Sequence, residues 1–110
     1  MGMALPGSGK LVRDRIPEII QADGKVPLCT TVTGDDLRAA LEEKAREEIA
    51  ELCDASPESL LEEIADVYEV LLAIAKNAGV DWPQVENVAS KKRDLRGGFS
   101  GGTWLLATKD

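Results

Sequence analysis

A chain of 110 residues with 44% hydrophobic and 30% charged residues has the composition of one globular domain rather than of a disordered segment. Its formal net charge of -7 argues against binding to nucleic acid or to an anionic membrane, because phosphate groups would be repelled. Histidine is absent, which excludes Ser-His and Cys-His catalysis and histidine-ligated metal sites. The longest apolar run, VLLAIA, is too short to span a bilayer and no signal peptide is recognised, so we expect a cytoplasmic protein.

The first third of the chain is predicted to contain a leader, a short helix and a strand. Residues 1–9, MGMALPGSG, are rich in glycine and lack periodicity, which is typical of a flexible leader ahead of a single domain over residues 10–110. Pro17 is suited to the start of a short helix and Gly24 to its end. The segment VPLCTTVT (Val26–Thr33) is short and rich in β-branched residues, which predicts a strand.

Three longer helices are predicted from apolar periodicity and from residues that favour helix ends. The first runs from Thr33 or Asp35 to about Cys53, the second from Ser56 as N-cap to about Gly79, and the third from Trp82 or Pro83 to about Leu95. After them, TWLLAT has the pattern of a strand that can pair with the earlier strand as a small ribbon. The expected fold class is therefore an all-α helical bundle with a small C-terminal β ribbon.

Two acidic residues fall inside the apolar stripes of the first two long helices. At about 100° per residue, Glu48 projects into the stripe that includes Leu41 and Ile49, and Glu63 projects into the stripe of the second helix, which includes Ile64, Val67, Leu71 and Ile74. A second acid, Glu51 or Asp66, follows each of them by three residues at the edge of the stripe.

Carboxylates in such positions need a partner. A lone carboxylate in an apolar surface is costly to ionise, and several together repel one another. A divalent cation removes both difficulties, and oxygen-only ligands suit Mg²⁺, with Mn²⁺ as a substitute. The alternative is that the acids only solvate glutamate-rich helices, since glutamate is a good helix former.

Beyond this geometry, the acidic motifs resemble a known signature. EEIAE (Glu47–Glu51), followed after eleven residues by EIAD (Glu63–Asp66), resembles the EExxE…ExxD signature of the all-α nucleoside triphosphate pyrophosphohydrolases, although the gap is at the short end of the usual range. That superfamily includes MazG, the dimeric dUTPases and phosphoribosyl-ATP pyrophosphohydrolase. KLVRDRIPEII (Lys10–Ile20) and KKRDLRGGF (Lys91–Phe99) are similar to the ends of a compact MazG-like, phosphoribosyl-ATP pyrophosphohydrolase-like subgroup, so the resemblance extends over nearly the whole chain.

The resemblance implies a MazG-like bundle completed by oligomerisation, as a homodimer or homotetramer. It also implies Mg²⁺-dependent cleavage of a nucleoside triphosphate, including non-standard ones, to the monophosphate and pyrophosphate. The implied metal ligands are Glu48, Glu51, Glu63 and Asp66. Glu47 would lie beside them as a further ligand or as the base for the attacking water, so Glu47 and Glu48 are the candidate catalytic residues.

Five basic residues are candidates for binding the triphosphate. Arg13 and Arg15 precede the first helix, and Lys91, Arg93 and Arg96 lie near the end of the last one. Cations at a helix C-terminus are also favourable without any ligand, and arginines can form salt bridges between subunits. Nothing in the sequence marks a preferred base. Two alternative functions stay open: phosphoribosyl-ATP pyrophosphohydrolase of histidine biosynthesis, and a non-catalytic helical oligomerisation module.

Overall fold

The computed structural model describes residues 8–110, so most of the predicted leader lies outside the described residues. Four helices follow one another along the described chain: α1 (Ile16–Ala22), α2 (Gly34–Cys53), α3 (Leu60–Asn77) and α4 (Trp82–Arg96). The predicted all-α class is therefore confirmed for this part of the chain. Among these helices, none is both long and apolar enough to cross a membrane.

The predicted β ribbon is wrong. Residues 8–110 contain no strand, and both Val26–Thr33 and the TWLLAT segment have irregular backbone. Val26, Leu28 and Trp104 are exposed, so neither segment has an apolar face that packs on a core. β-Branched residues favour strands only where their side chains pack on neighbouring strands, and an isolated two-stranded ribbon is at best marginally stable in water.

Helices α2 and α3 form an antiparallel pair. They contact each other along their lengths, and only residues 54–59 connect them. The side-chain amide of Asn77, at the end of α3, donates a hydrogen bond to the backbone carbonyl of Gly34, at the start of α2, over 3.4 Å. The opposite end of the pair, next to the connection, therefore brings the second half of α2 beside the first half of α3.

The start of α3 differs from the sequence prediction. Ser59, not Ser56, occupies the N-cap position, and the backbone N–H of Ser59 donates to the carbonyl of Ser56 over 3.1 Å. The two serine hydroxyls lie 3.1 Å apart and pair with each other. The Ser56 side chain is thus used in the turn that precedes the helix, and α3 begins one turn later than predicted.

The buried core of the helix pair is small. Leu41 of α2 and Val70 of α3 are buried, with 5% and 8% of their surface exposed. The carboxylate side chain of Glu48 is buried to the same degree, at 7% exposure. Ile64 and Leu71, predicted to lie in the apolar stripe, are instead 50% and 43% exposed. Helix α3 is rotated so that the side carrying Val70 faces α2, while much of its apolar stripe remains uncovered.

The chain divides into two compact units, the first ending at Gly79 and the second running from Val80 to Asp110. The second unit consists of α4 and the segment after it. The backbone N–H of Asp81 donates to the side-chain oxygen of Gln84 over 3.0 Å at the start of α4. At its end Gly97 has φ of +81° and its N–H donates to the carbonyl of Arg93 over 2.8 Å, a conformation that favours glycine.

Candidate metal centre

Three carboxylates converge near the connected end of the helix pair. Glu48 of α2 and Glu63 and Asp66 of α3 each offer one oxygen, and these oxygens lie within 4.8 Å of one another. The spacing of three residues places Glu63 and Asp66 on one face of α3, and the antiparallel packing brings Glu48 opposite them. The sequence predicted that Glu51 would join them in one site, so three of the four predicted carboxylates lie together, and their role as metal ligands stays a prediction.

Two oxygens of this cluster are buried without a hydrogen-bond partner: Oε2 of Glu48 and Oε2 of Glu63. Leaving a buried carboxylate oxygen unpaired costs about 1–3 kcal/mol or more, so native structures rarely do it without a reason. A hard divalent cation such as Mg²⁺ or Mn²⁺ prefers carboxylate oxygens as ligands. The donor set and the two unpaired oxygens therefore fit a bound cation of this kind.

Lys44 satisfies the other oxygen of the buried carboxylate. Its ammonium nitrogen lies 3.1 Å from Oε1 of Glu48 and 3.5 Å from Oε1 of Glu47. Partial burial tends to lower the pKa of Lys44, but the hydrogen bond to Glu48 and the charges of Glu47 and Glu48 together raise it above its ordinary value. Lys44 is thus a charged member of the site that the sequence interpretation missed, although its spacing of four residues from Glu48 was a signal for the contact.

Arg13 reaches the cluster from the segment before α1. Its Nη2 lies 2.8 Å from Oδ1 of Asp66, and the two side chains are 57% and 39% exposed. The backbone carbonyl of Arg13 accepts a hydrogen bond from the N–H of Ile16 over 3.0 Å, which fixes the turn into α1. Arg15 is not brought to the cluster, because its guanidinium pairs with Glu18 over 3.3 Å.

Glu51 lies near the cluster but is not one of the three converging carboxylates. It is exposed on α2. The negative charge of Glu48 is the main cause of a raised pKa for Glu51, with further contributions from desolvation and from the charges of Glu63 and Glu47. The neighbouring acids thus make ionisation of Glu51 less favourable in the folded chain, as expected of a site that lacks enough positive charge.

We expect the substitution Glu51→Gln to stabilise the metal-free chain at neutral pH. Because the pKa of Glu51 is raised, the folded chain binds a proton before the unfolded chain does as pH falls. The repulsion therefore lowers the free energy of unfolding at about pH 7 and disappears as pH falls through the raised pKa. Urea unfolding with a chelator present should give the variant a higher midpoint than the original chain at about pH 7 and equal midpoints near about pH 4.

The matched control is Glu69→Gln, at an exposed position on α3, for which no such pH-dependent difference is expected. A difference between the Glu51 variant and the original chain that stayed constant over the same pH range would contradict the electrostatic interpretation.

The basic residues of α4 belong to the second unit. Lys91, Arg93 and Arg96 are all exposed there, and the last two lie in the final turn of the helix. Cations in that position interact favourably with the helix dipole. Their predicted contact with a triphosphate stays a prediction.

In a comparison with known proteins, the chain matches a family whose function is unknown. A family model described as "Protein of unknown function (DUF3631)" matches residues 28–96, which include α2, α3 and α4. An uncharacterized protein of Mycolicibacterium smegmatis is 54% identical over 43 residues, a segment that covers 39% of this chain and 44% of that relative. No solved structure matches the chain. Since the family model covers more than half of the sequence, the chain belongs to the DUF3631 family.

Proposed function

We propose that this protein is a Mg²⁺-dependent nucleotide pyrophosphohydrolase that cleaves nucleoside triphosphates, including non-standard ones, to the monophosphate and pyrophosphate. The observation that supports this proposal most directly is the pair of buried, unpartnered oxygens, Oε2 of Glu48 and Oε2 of Glu63, within the cluster of three carboxylates. The reaction itself rests on the resemblance of EEIAE…EIAD to the signature of the all-α pyrophosphohydrolases.

In this proposal Glu48, Glu63 and Asp66 would hold the cation, and Glu51, which the charge of Glu48 repels, would be a fourth carboxylate available to it. Bound Mg²⁺ or Mn²⁺ supplies positive charge to the phosphates and lowers the pKa of a nearby water. The site residues then act as fixed oxygen ligands on two rigid helices. This arrangement would keep the phosphate in one orientation during the reaction.

Glu47 is the proposed base. Its carboxylate is 39% exposed and is held by Lys44 over 3.5 Å, so it remains accessible at the edge of the cluster. The oxygen of a water molecule forms a bond to phosphorus, the bridging bond between the α- and β-phosphates breaks, and pyrophosphate leaves. Glu47 accepts the proton of the water. No covalent intermediate on the protein is needed, in keeping with the absence of histidine.

Cations are needed to attract a polyanionic substrate to a chain with a net charge of -7. Arg13 is the best placed, since its guanidinium already lies at the carboxylate cluster. An arginine can donate two parallel hydrogen bonds to a phosphate group. Arg15, Lys91, Arg93 and Arg96 are proposed as further phosphate contacts.

We propose that the protein forms a homodimer or a homotetramer. One side of α3, which we term the outer apolar face, carries residues spaced by three and four positions that are all at least 42% exposed: Leu60, Ile64, Tyr68 and Leu71. A contiguous apolar stripe on a helix usually packs against another element. A second copy of the chain would cover this face and enlarge the small core formed by Leu41 and Val70.

Two alternatives compete with this proposal. Phosphoribosyl-ATP pyrophosphohydrolase shares the proposed acidic site and differs in substrate. A non-catalytic helical oligomerisation module is favoured by one observation, namely that Lys44 and Arg13 already pair with Glu48 and Asp66. Those two ion pairs leave Oε2 of Glu48 and of Glu63 unsatisfied, which is why we prefer the metal site.

A substrate panel tests the proposal. The purified chain is incubated with standard and modified nucleoside triphosphates and with phosphoribosyl-ATP, in Mg²⁺ or in Mn²⁺, and the release of pyrophosphate is measured. We expect release from at least one nucleoside triphosphate, abolished by a chelator. Release from phosphoribosyl-ATP alone would assign the first alternative, and no release from any compound would favour the oligomerisation module.

A further inference from the structure

One contact in the carboxylate cluster joins parts of the chain that are distant in sequence. Arg13 and Asp66 are separated by 53 positions, and their side chains meet at 2.8 Å between Nη2 and Oδ1. Asp66 is also one of the three residues whose oxygens converge for a cation. Asp66 therefore pairs with Arg13 and is at the same time a candidate ligand of a metal ion.

Arg13 and a divalent cation would compete for this carboxylate. A guanidinium hydrogen-bonded to Asp66 places a positive charge within a few ångströms of any ion bound to the same carboxylate. Like charges at such distances repel, and the ammonium of Lys44 already lies on the Glu48 side of the cluster. The cluster can thus accept a divalent cation more easily when one of the two protein cations leaves.

The structure indicates which of the two leaves. Lys44 is mostly buried, with a side chain 18% exposed, and it contacts both Glu47 and Glu48. Arg13 makes one contact to Asp66, and its side chain is 57% exposed. An exposed ion pair with a single hydrogen bond contributes little stability, whereas breaking a buried pair leaves an uncompensated charge. Arg13 is therefore the cation that is easily displaced.

We propose that Arg13 is an exchangeable cation that holds Asp66 in the metal-free chain and is displaced when a divalent cation binds. The displaced guanidinium then becomes available at the edge of the site for a phosphate group of the substrate. This inference rests on the proposed function and adds to it an exchange step at one ligand. The turn between Arg13 and Ile16 keeps the backbone in place, so the exchange requires only a movement of the Arg13 side chain.

The exchange predicts opposite changes in two affinities for the variant Arg13→Gln. Its apparent affinity for Mn²⁺, measured by titration with detection of free Mn²⁺ by electron paramagnetic resonance, should increase about two- to fivefold, the amount that an exposed ion pair contributes. The affinity of the Mn²⁺-loaded chain for inorganic tripolyphosphate, used as the probe for the substrate's phosphates, should fall by about fivefold or more, because a charged hydrogen-bond donor is lost.

The matched control is Arg38→Gln, which removes the same charge and one exposed ion pair, that with Glu42 over 3.1 Å, near the other end of α2. Its Mn²⁺ affinity should stay within about twofold of the original chain, because the charge it removes is not in contact with the cluster. A second variant, Arg13→Lys, keeps a cation and should bind Mn²⁺ about as the original chain does. Thermal unfolding of each variant without metal verifies that it is folded.

Each outcome has one interpretation. Equal Mn²⁺ affinity for Arg13→Gln and the original chain would overturn the exchange and leave the metal site intact. Weaker Mn²⁺ binding by Arg13→Gln would also overturn it, since Arg13 would then be orienting Asp66 for the metal. Absence of Mn²⁺ binding by every chain, the original included, would overturn the proposed metal site itself.

Discussion

Replacing Glu63 with glutamine should lower kcat/KM for the preferred nucleoside triphosphate by at least about a hundredfold, while leaving the metal-free fold as stable as before or slightly more stable. The first effect follows from the loss of a ligand charge in the proposed metal site, whose chemistry would depend on the bound cation. The second follows because Oε2 of Glu63 is buried and unpartnered, so its negative charge lowers the stability of the metal-free chain. Pyrophosphate release and thermal unfolding with a chelator measure the two effects.

A loss of activity without a loss of stability distinguishes a metal ligand from a residue with a structural role. A ligand that binds only the folded chain raises its stability by about 2.7 kcal/mol when present at 100 times its dissociation constant. Millimolar Mg²⁺ should therefore raise the melting temperature of the original chain and should not raise that of Glu63→Gln. A purely structural glutamate would give equal responses to Mg²⁺ in both chains.

Glu62→Gln is the matched control, since Glu62 is adjacent in sequence and is exposed. It should keep both the activity and the Mg²⁺ response of the original chain. Glu48 is a less suitable position for the same test, because its Oε1 pairs with Lys44 over 3.1 Å. Removing the charge of Glu48 would leave a mostly buried ammonium without its main partner and would mix a structural loss with the loss of metal binding.

The acidic cluster could be predicted from sequence because two of its three members break a local pattern. Glu48 interrupts the apolar stripe of α2, and Glu63 does the same on α3, so both had to face a neighbouring helix or be buried at a cost. A short connection makes two successive helices antiparallel neighbours, which brings the two acids together. The convergence thus followed from local periodicity and one short connection.

The contact of Arg13 with the cluster could not be predicted in the same way. Arg13 meets Asp66 across 53 positions, and no periodicity relates the two. The sequence assigned Arg13 and Arg15 the same role, yet only the first contacts the cluster, because the second turns toward Glu18. Contacts of this kind depend on where the segment before α1 lies in the folded chain, which is decided by the tertiary fold rather than by its own sequence.

The rotation of α3 could not be predicted either. Its apolar stripe is broad enough to allow more than one rotation against α2, and the structure places Val70 inward and leaves Ile64 and Leu71 half exposed. Helical periodicity shows which residues share a face but not which part of a broad face a given neighbour covers. The strand prediction was wrong for a related reason. Val26 and Leu28 have side chains that favour a strand, but both are exposed and pack on no other part of the described chain.

These half-exposed residues lead to the second prediction, that Ile64→Glu should convert the proposed oligomer into monomers. Ile64 lies in the middle of the outer apolar face of α3 and is 50% exposed, so a glutamate is tolerated there in a single chain. In an interface the same glutamate would be buried without a partner, at a cost of several kcal/mol, in addition to the loss of apolar contact. We expect the dimer dissociation constant to increase by at least about a hundredfold.

Sedimentation equilibrium over a range of protein concentrations measures this change directly. The matched control is Ala65→Glu, which adds the same charge at the next, exposed position of the same helix but away from the outer apolar face. Its dissociation constant should stay within about tenfold of the original chain, because the added charge remains in solvent. An Ile64→Glu chain that is as oligomeric as the control would exclude this face as the interface. Because Leu41 and Val70 are the only buried apolar residues among residues 8–110, we also expect the monomeric variant to unfold at a lower temperature than the control.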